Sequence, residues 1–124
     1  MSDDRLRLLG ERGERLAAEH LERRGFRIVE RNYRTRWGEL DIVAFDGRTL
    51  AFCEVKSRRL SPSGIRPFDS LHVRKRAQVR RMARQWLADR GQRDFAAVLR
   101  FDAIGVTFDA RDRLAALEHL EGAF

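Results

Sequence analysis

The chain has 124 residues, 43% apolar and 36% charged, a balance that fits one globular domain over 1–124 and not a disordered chain. No apolar run approaches bilayer length, and the opening Met-Ser-Asp-Asp-Arg lacks the apolar stretch of a secretory signal, so a soluble cytoplasmic protein is expected, with no membrane partner. The net charge of +7 favours a polyanionic partner, nucleic acid before an acidic membrane.

Residues 4–24 are rich in helix formers, with Leu16, Ala17 and Leu21 at helical spacing and Gly25 placed as a C-terminal cap. Gly10 and Gly13 fall inside this helix, where each costs roughly 1 kcal/mol against Ala. Either the helix starts near them, or something needs close access to its backbone. Residues 26–33, 38–45 and 49–57 read as three strands, the last two joined at Asp46-Gly47, a strong hairpin signal. Residues 58–69 hold both prolines, a glycine and three arginines, and read as a loop. A second helix follows over 70–90, with Val79, Met82, Ala83, Trp86 and Leu87 on one stripe and Gly91 after it. Residues 96–108 form a fourth strand, with a kink expected at Gly105, and 113–120 is read as a last strand in preference to a helix. The order α-β-β-β-α-β, with that extra strand, predicts an α/β fold whose mixed central sheet is flanked by helices.

Cys53 is the only cysteine, so no internal disulfide or cysteine-rich zinc site can form, and its apolar surroundings predict a buried side chain. His20, His72 and His119 have no metal-ligand spacing and are taken as structural or exposed. Phe101 and Asp102 read as strand core and structural polar pairing. The kind of basic residue is more informative. Of 26, only Lys56 and Lys75 are lysine and the other 24 are arginine, whose proton affinity cannot be tuned in the same way.

With Asp46-Gly47 as a two-residue turn, Phe45 faces Arg48, Glu39 faces Glu54 and Asp41 faces Phe52. Side-chain alternation then sends Glu39, Asp41, Glu54 and Lys56 to one sheet face, with Asp41 and Glu54 as diagonal neighbours. Like charges so close destabilise a sheet unless something compensates, and a divalent cation with a taste for hard oxygen ligands is the natural compensator. Glu14 precedes Ala17, Ala18 and Leu21 by three, four and seven residues, so it shares the buried stripe and needs a partner. Glu39 stands either as a ligand or just behind one. Arg58, Arg59 and Arg66 follow Lys56 and are placed to hold a nucleic-acid backbone, and Lys75 begins the second helix's stripe, from which it reaches the sheet or a phosphate, or else snorkels to solvent at the helix end. Arg76, Arg80 and Arg84 form a ridge read first as a solvated face.

Asp41 followed after twelve residues by Glu54-Val55-Lys56 resembles the D…E-x-K signature of the PD-(D/E)xK, restriction-endonuclease-like superfamily, although Leu40 stands where the proline would be. Glu14 matches the extra helix glutamate of the Holliday-junction-resolvase-like members. The whole chain is similar to the YraN-like family of uncharacterised bacterial proteins, through Gly10-x-x-Gly13-Glu14, Arg31-Asn32-Tyr33-Arg34, Gly38-Glu39-Leu40-Asp41, Glu54-Val55-Lys56, Arg100-Phe101-Asp102 and Ala123-Phe124. The resemblance implies a restriction-endonuclease-like core in which Asp41, Glu54, the Val55 carbonyl and Glu14 hold Mg²⁺ (or Mn²⁺) and Lys56 serves the attacking water. It implies a metal-dependent endonuclease acting on DNA, with branched or structured DNA as one substrate and, by analogy with resolvases, a homodimer. The alternative is a nucleic-acid-binding module on the same fold that does not cut on its own.

Overall fold

The periodic stripe near the N-terminus does form a helix, and the way that helix ends shows how the chain enters the sheet. The computed structural model describes residues 3–60, 73–90 and 98–124, with the side chains of 3 and 73–76 left aside. Helix α1 (Asp3–Arg23) stops at Gly25, whose φ of 92° suits a residue without a Cβ. The Gly25 amide donates to the Glu22 carbonyl and the Phe26 amide to the Leu21 carbonyl, both at 3.0 Å, the paired closure of a Schellman motif. Phe26 and Leu21 are both buried in the same core, so the cap also anchors the first strand.

The strands are β1 (Arg27–Thr35), β2 (Gly38–Phe45), β3 (Thr49–Arg59), β4 (Val98–Phe108) and β5 (Leu114–Leu120), with helix α2 (Val73–Arg90) between β3 and β4. They make one sheet in the order β1-β2-β3-β4-β5. Only β3 and β4 run parallel, so the expected mixed α/β sheet is what forms. The two helices cover opposite faces. Under α1, Ala17, Ala18 and Leu21 pack on Ile42, Ala44, Cys53, Ile104 and Val106. Under α2, Val79, Met82, Ala83, Trp86 and Leu87 pack on Leu40, Val43, Leu50 and Phe52. Each fully buried large side chain contributes about 1.5–3 kcal/mol, so both helices are held chiefly by their stripes. Among the described residues, no helix is long and apolar enough to cross a membrane.

Three local expectations are corrected. The two-residue turn is Gly47-Arg48, not Asp46-Gly47, because the Asp46 side chain accepts the amides of Arg48 (2.9 Å) and Thr49 (2.7 Å) and so belongs to the strand side of the turn. Phe45 therefore pairs with Leu50 and Ile42 with Cys53, which brings Asp41, and not Glu39, level with Glu54. Arg58 and Arg59 lie in no loop: they pair with Thr107 and Phe108, since the long parallel partner extends β3 past its apolar segment. The rest of the 58–69 loop beyond Leu60 falls outside the described residues. No break occurs at Gly105, where the β3–β4 register is continuous; the irregularity lies between Thr107 and Phe108, against β5.

Gly13 resolves the question of close access. α1 runs through it, and a Cβ built there would lie 3.1 Å from the Ser57 Cβ and would collide with the Ser57 hydroxyl. Around Gly10 a Cβ would meet nothing within 4 Å. Gly13 thus sets how near α1 comes to β3. Gly13→Ala is expected to destabilise the fold by about 1–3 kcal/mol through overpacking. Combining it with Ser57→Ala, which removes the colliding oxygen, should recover part of that loss. Urea denaturation midpoints of the two single variants and the double variant check both statements, whereas Gly10→Ala should hold or raise the midpoint.

Candidate metal centre at the fork of the sheet

The site begins where two strands part. β2 follows β1 as far as Gly38, and β3 follows β4 as far as Arg59, but the β2–β3 pairing reaches only Ile42 and Cys53. In the fork beyond that pair, the Val55 amide donates to Asp41 Oδ2 at 2.7 Å. A side chain has replaced the carbonyl that a continued antiparallel ladder would offer.

Strand alternation also slips at this level. Leu40 and Val43 both pack on the α2 side, so Asp41 and Ile42 between them cannot alternate regularly, and Ile42 packs on the α1 side. In β1, Glu30 meets Trp86 and Tyr33 packs on the α2 side, while Arg31 and Asn32 between them reach Glu14 on α1. The cause in β1 is Asn32, whose φ is 55°, a left-handed conformation that asparagine tolerates better than most residues. Its place in the register, between Arg31↔Ile42 and Tyr33↔Leu40, is beside Asp41.

These slips and the close approach of α1 bring three carboxylates together. Glu14, Glu39 and Asp41 each present an oxygen within 4.8 Å of the other two, and all three are half-buried. With its amide nitrogen turned inward, Asn32 donates to Glu14 Oε1 (2.9 Å) and Glu39 Oε1 (3.0 Å) and bridges helix to sheet. Arg31 lies 3.9 Å from Glu14 and Arg34 lies 3.3 Å from Glu39. This does not neutralise the group. Burial first, then the charges of Glu14, Glu54 and Glu39, push the Asp41 carboxyl up to about 7 despite the bond from Val55. Glu14 is also raised, by burial and then by Glu39, with Arg31 and Asn32 opposing.

Of the residues singled out in the sequence, Glu14, Asp41 and Glu39 meet at this point, and Val55 joins through its amide. Glu54 acts on Asp41 electrostatically without belonging to the tight group. Cys53 and Val55 pack against α1, and Ser57 lies beneath Gly13. Alternation therefore sends Glu54 and Lys56 from β3 toward the α2 side, which corrects the expected single face for Glu39, Asp41, Glu54 and Lys56, while Glu54 stays within electrostatic reach of Asp41 across the fork. Arg59 is held by Asp112 through two bonds, at 2.8 and 2.5 Å. Arg58 is half-buried at the end of β3. Arg66 and the Lys75 side chain lie outside the described residues. Sequence reasoning gave Asn32 no role. The available signal was an Arg-Asn pair interrupting the alternation of an otherwise ordinary strand.

The donor set is all hard oxygen, with no histidine or cysteine in the group, which suits Mg²⁺ or Mn²⁺ and not a soft metal. Because Asp41 titrates near 7 when folded and near its ordinary 3.8 when unfolded, the folded state keeps a proton between those values that the unfolded chain has lost. Without divalent cations, its contribution to stability falls as pH rises from about 4 to about 7 and then levels off. Asp41→Asn, which can still accept the Val55 amide, should flatten that decline and be more stable than the parent at pH 8 in EDTA. Urea titrations of both proteins at pH 5 and pH 8 measure it; equal pH slopes would refute the assignment.

A sequence profile of the Uncharacterised protein family UPF0102 matches residues 13–106, which include Glu14, Asn32, Asp41, Glu54 and Lys56. A UPF0102 protein of Pelotomaculum thermopropionicum is 43% identical over 124 residues, covering the whole of both chains. One from Geobacter sulfurreducens is 45% identical over 118 residues, covering 95% of this chain and 89% of its own. One from a Parafrankia species is 45% identical over 116 residues, covering 94% and 95%. The chain belongs to the UPF0102 family, the YraN-like group that its motifs resemble.

Proposed function

We propose that this protein is a divalent-cation-dependent nuclease that hydrolyses phosphodiester bonds in DNA, including branched or structured DNA. The observation that carries the reading is the crowding at Asp41, where three half-buried carboxylates converge and one is pushed up to about 7. Such a cluster is unfavourable by itself and becomes favourable around a cation. In this reading Asp41, Glu14, Glu54 and the Val55 carbonyl hold Mg²⁺ (or Mn²⁺), and Glu39 completes or orients the group through Asn32. The ion supplies Lewis-acid polarisation of the phosphoryl oxygens and makes a bound water more acidic. Lys56, two residues after Glu54 and on the same side of β3, orients the attacking water and offsets negative charge at the scissile phosphate. Asn32 keeps Glu14 and Glu39 turned inward. The +7 net charge supports a polyanionic substrate.

The separation of Glu54 from the tight group supports a second reading, in which the same fold binds nucleic acid without cutting it.

Isothermal titration with Mg²⁺ and Mn²⁺ tests the centre, and binding should be lost in Asp41→Ala and much weakened in Glu54→Ala. Metal binding that survives both substitutions rejects the nuclease reading. Labelled single-stranded, duplex, flap and four-way-junction DNAs then separate cutting from binding. Lys56→Ala is expected to lower the cleavage rate by about 10²-fold or more while leaving DNA affinity within a few-fold. Undiminished cleavage removes Lys56 from the mechanism.

A further inference from the structure

Beside the carboxylate cluster, on the α1 side of the sheet, lies a groove of about 690 Å³ lined by Leu8, Glu11, Arg12, Arg15, Arg31 and Asn32. We infer that this groove, formed by α1 and β1, holds the sugar-phosphate backbone of a nucleic-acid strand and leads it to the fork. The proposal deepens the nuclease reading and rests on it for the strand's destination. It supplies a contact surface apart from Arg58, Arg59, Arg66 and Lys75, the residues that the sequence pointed to for a nucleic-acid backbone.

Charge in the groove is one-sided. Three guanidinium groups face a single carboxylate, and Glu11 is already paired with Arg7 at 3.0 Å. Arg12 is fixed in the wall: its guanidinium lies 5.0 Å from the centre of the Phe108 ring and donates to the Asp112 carbonyl. Arg15 is exposed, and Arg31, with 41% of its side chain accessible, makes only a long 3.9 Å contact with Glu14. These two are available to an incoming anion. Guanidinium forks match the spacing of phosphate oxygens and can contact successive phosphates along a strand.

Continuity with the site selects the ligand. Asn32 lines the groove and also donates to Glu14 and Glu39, so the groove opens onto the carboxylates. An acidic peptide would carry its own carboxylates toward that cluster. A phosphodiester strand carries the group that a cation on hard oxygen ligands takes up. A flat anionic membrane surface cannot enter a concavity between a helix and a strand.

The test is binding without cutting. Fluorescence anisotropy in EDTA, with a labelled single-stranded DNA, its duplex and an RNA of the same sequence, compares wild type with an Arg15→Ala/Arg31→Ala variant. An Arg81→Ala/Arg84→Ala variant on exposed positions of α2, across the sheet, removes equal charge elsewhere. Thermal midpoints verify that all three are folded. The groove variant is expected to bind about tenfold or more weakly near 100 mM salt, with a log K against log salt slope shallower by about 1.4–1.8, the loss of two phosphate contacts. The α2 variant should stay close to wild type. Equal weakening of both variants, an unchanged groove variant, or no binding by wild type overturns the proposal; tight RNA with weak DNA binding keeps the groove and changes its strand. A protein that binds through the groove yet cuts nothing in Mg²⁺ sinks the nuclease reading alone.

Discussion

The hydrogen bond from the Val55 amide to Asp41 is the point on which the sheet and its site both depend. β2 turns away with β1 while β3 stays with β4, and an amide at such a divergence loses its ladder partner. Leaving it buried and unmet costs about 1–3 kcal/mol. A carbonyl from β2 can no longer reach it, but a side chain one bond longer can, and Asp41 is that side chain. The carboxylate that lets the strands part is thereby drawn in beside Glu14 and Glu39. Separation of the strands opens the site, and closing the orphan bond charges it.

Asp102 shows how differently the same fold treats another buried aspartate. It is fully buried, yet its carboxyl is held below the ordinary value. Burial pushes it up, but bonds from His119 (2.8 Å), from Arg100 (2.9 Å) and from the Gly122 amide (3.1 Å) more than offset that. His119 is in turn tied to His20 on α1, at 3.0 Å, so the network joins helix, β4, β5 and the C-terminal segment. With a neutral His119 donating through Nε2 to Asp102, its Nδ1 is left to accept from His20. Every charge there has an internal partner. Asp41 receives one amide and three carboxylate neighbours. The same chain satisfies one buried aspartate from within and leaves the other crowded beside like charges, the kind of perturbed carboxylate that clusters at functional sites.

What the sequence made legible follows from which signals are local. The stripes of α1 and α2, the Gly25 cap and the alternation of β3 depend on neighbours a few residues away, and they form where expected. The hairpin register slipped by two because one side chain, Asp46, took the amides that define the turn. A two-residue slip preserves which face each residue takes, so the acidic theme survived while its pairings changed. The arrangement of Glu54 and Lys56 was less legible, because the slip of β2 at Asp41 and Ile42 moves one strand's side chains relative to the other's. That slip is matched in β1 by the left-handed backbone at Asn32, a long-range agreement between two strands that no window of one strand contains. Gly13 could be read as a demand for close approach, but only the fold reveals that Ser57 sits under it.

The surplus of arginine is informative only after the internal pairs are taken out. Arg100 belongs to Asp102, Arg59 to Asp112, and Arg90 to Glu30. Arg80 stacks on Phe101 and donates to the Phe124 carbonyl. Such residues use the planar, permanently charged fork as scaffolding, and they contribute to net charge without marking a binding surface. The arginines on the exposed flank of α1 and on β1 differ because they border a concavity that ends at the acidic cluster. α1 supplies both Glu14 and Arg15, adjacent in sequence, one turned toward the fork and one toward solvent. A helix displaced outward would move the carboxylate and the guanidinium together. The missing side chain at Gly13, one residue earlier, therefore fixes two distances at once, from Glu14 to Asp41 and from the arginine-lined groove to the carboxylate cluster.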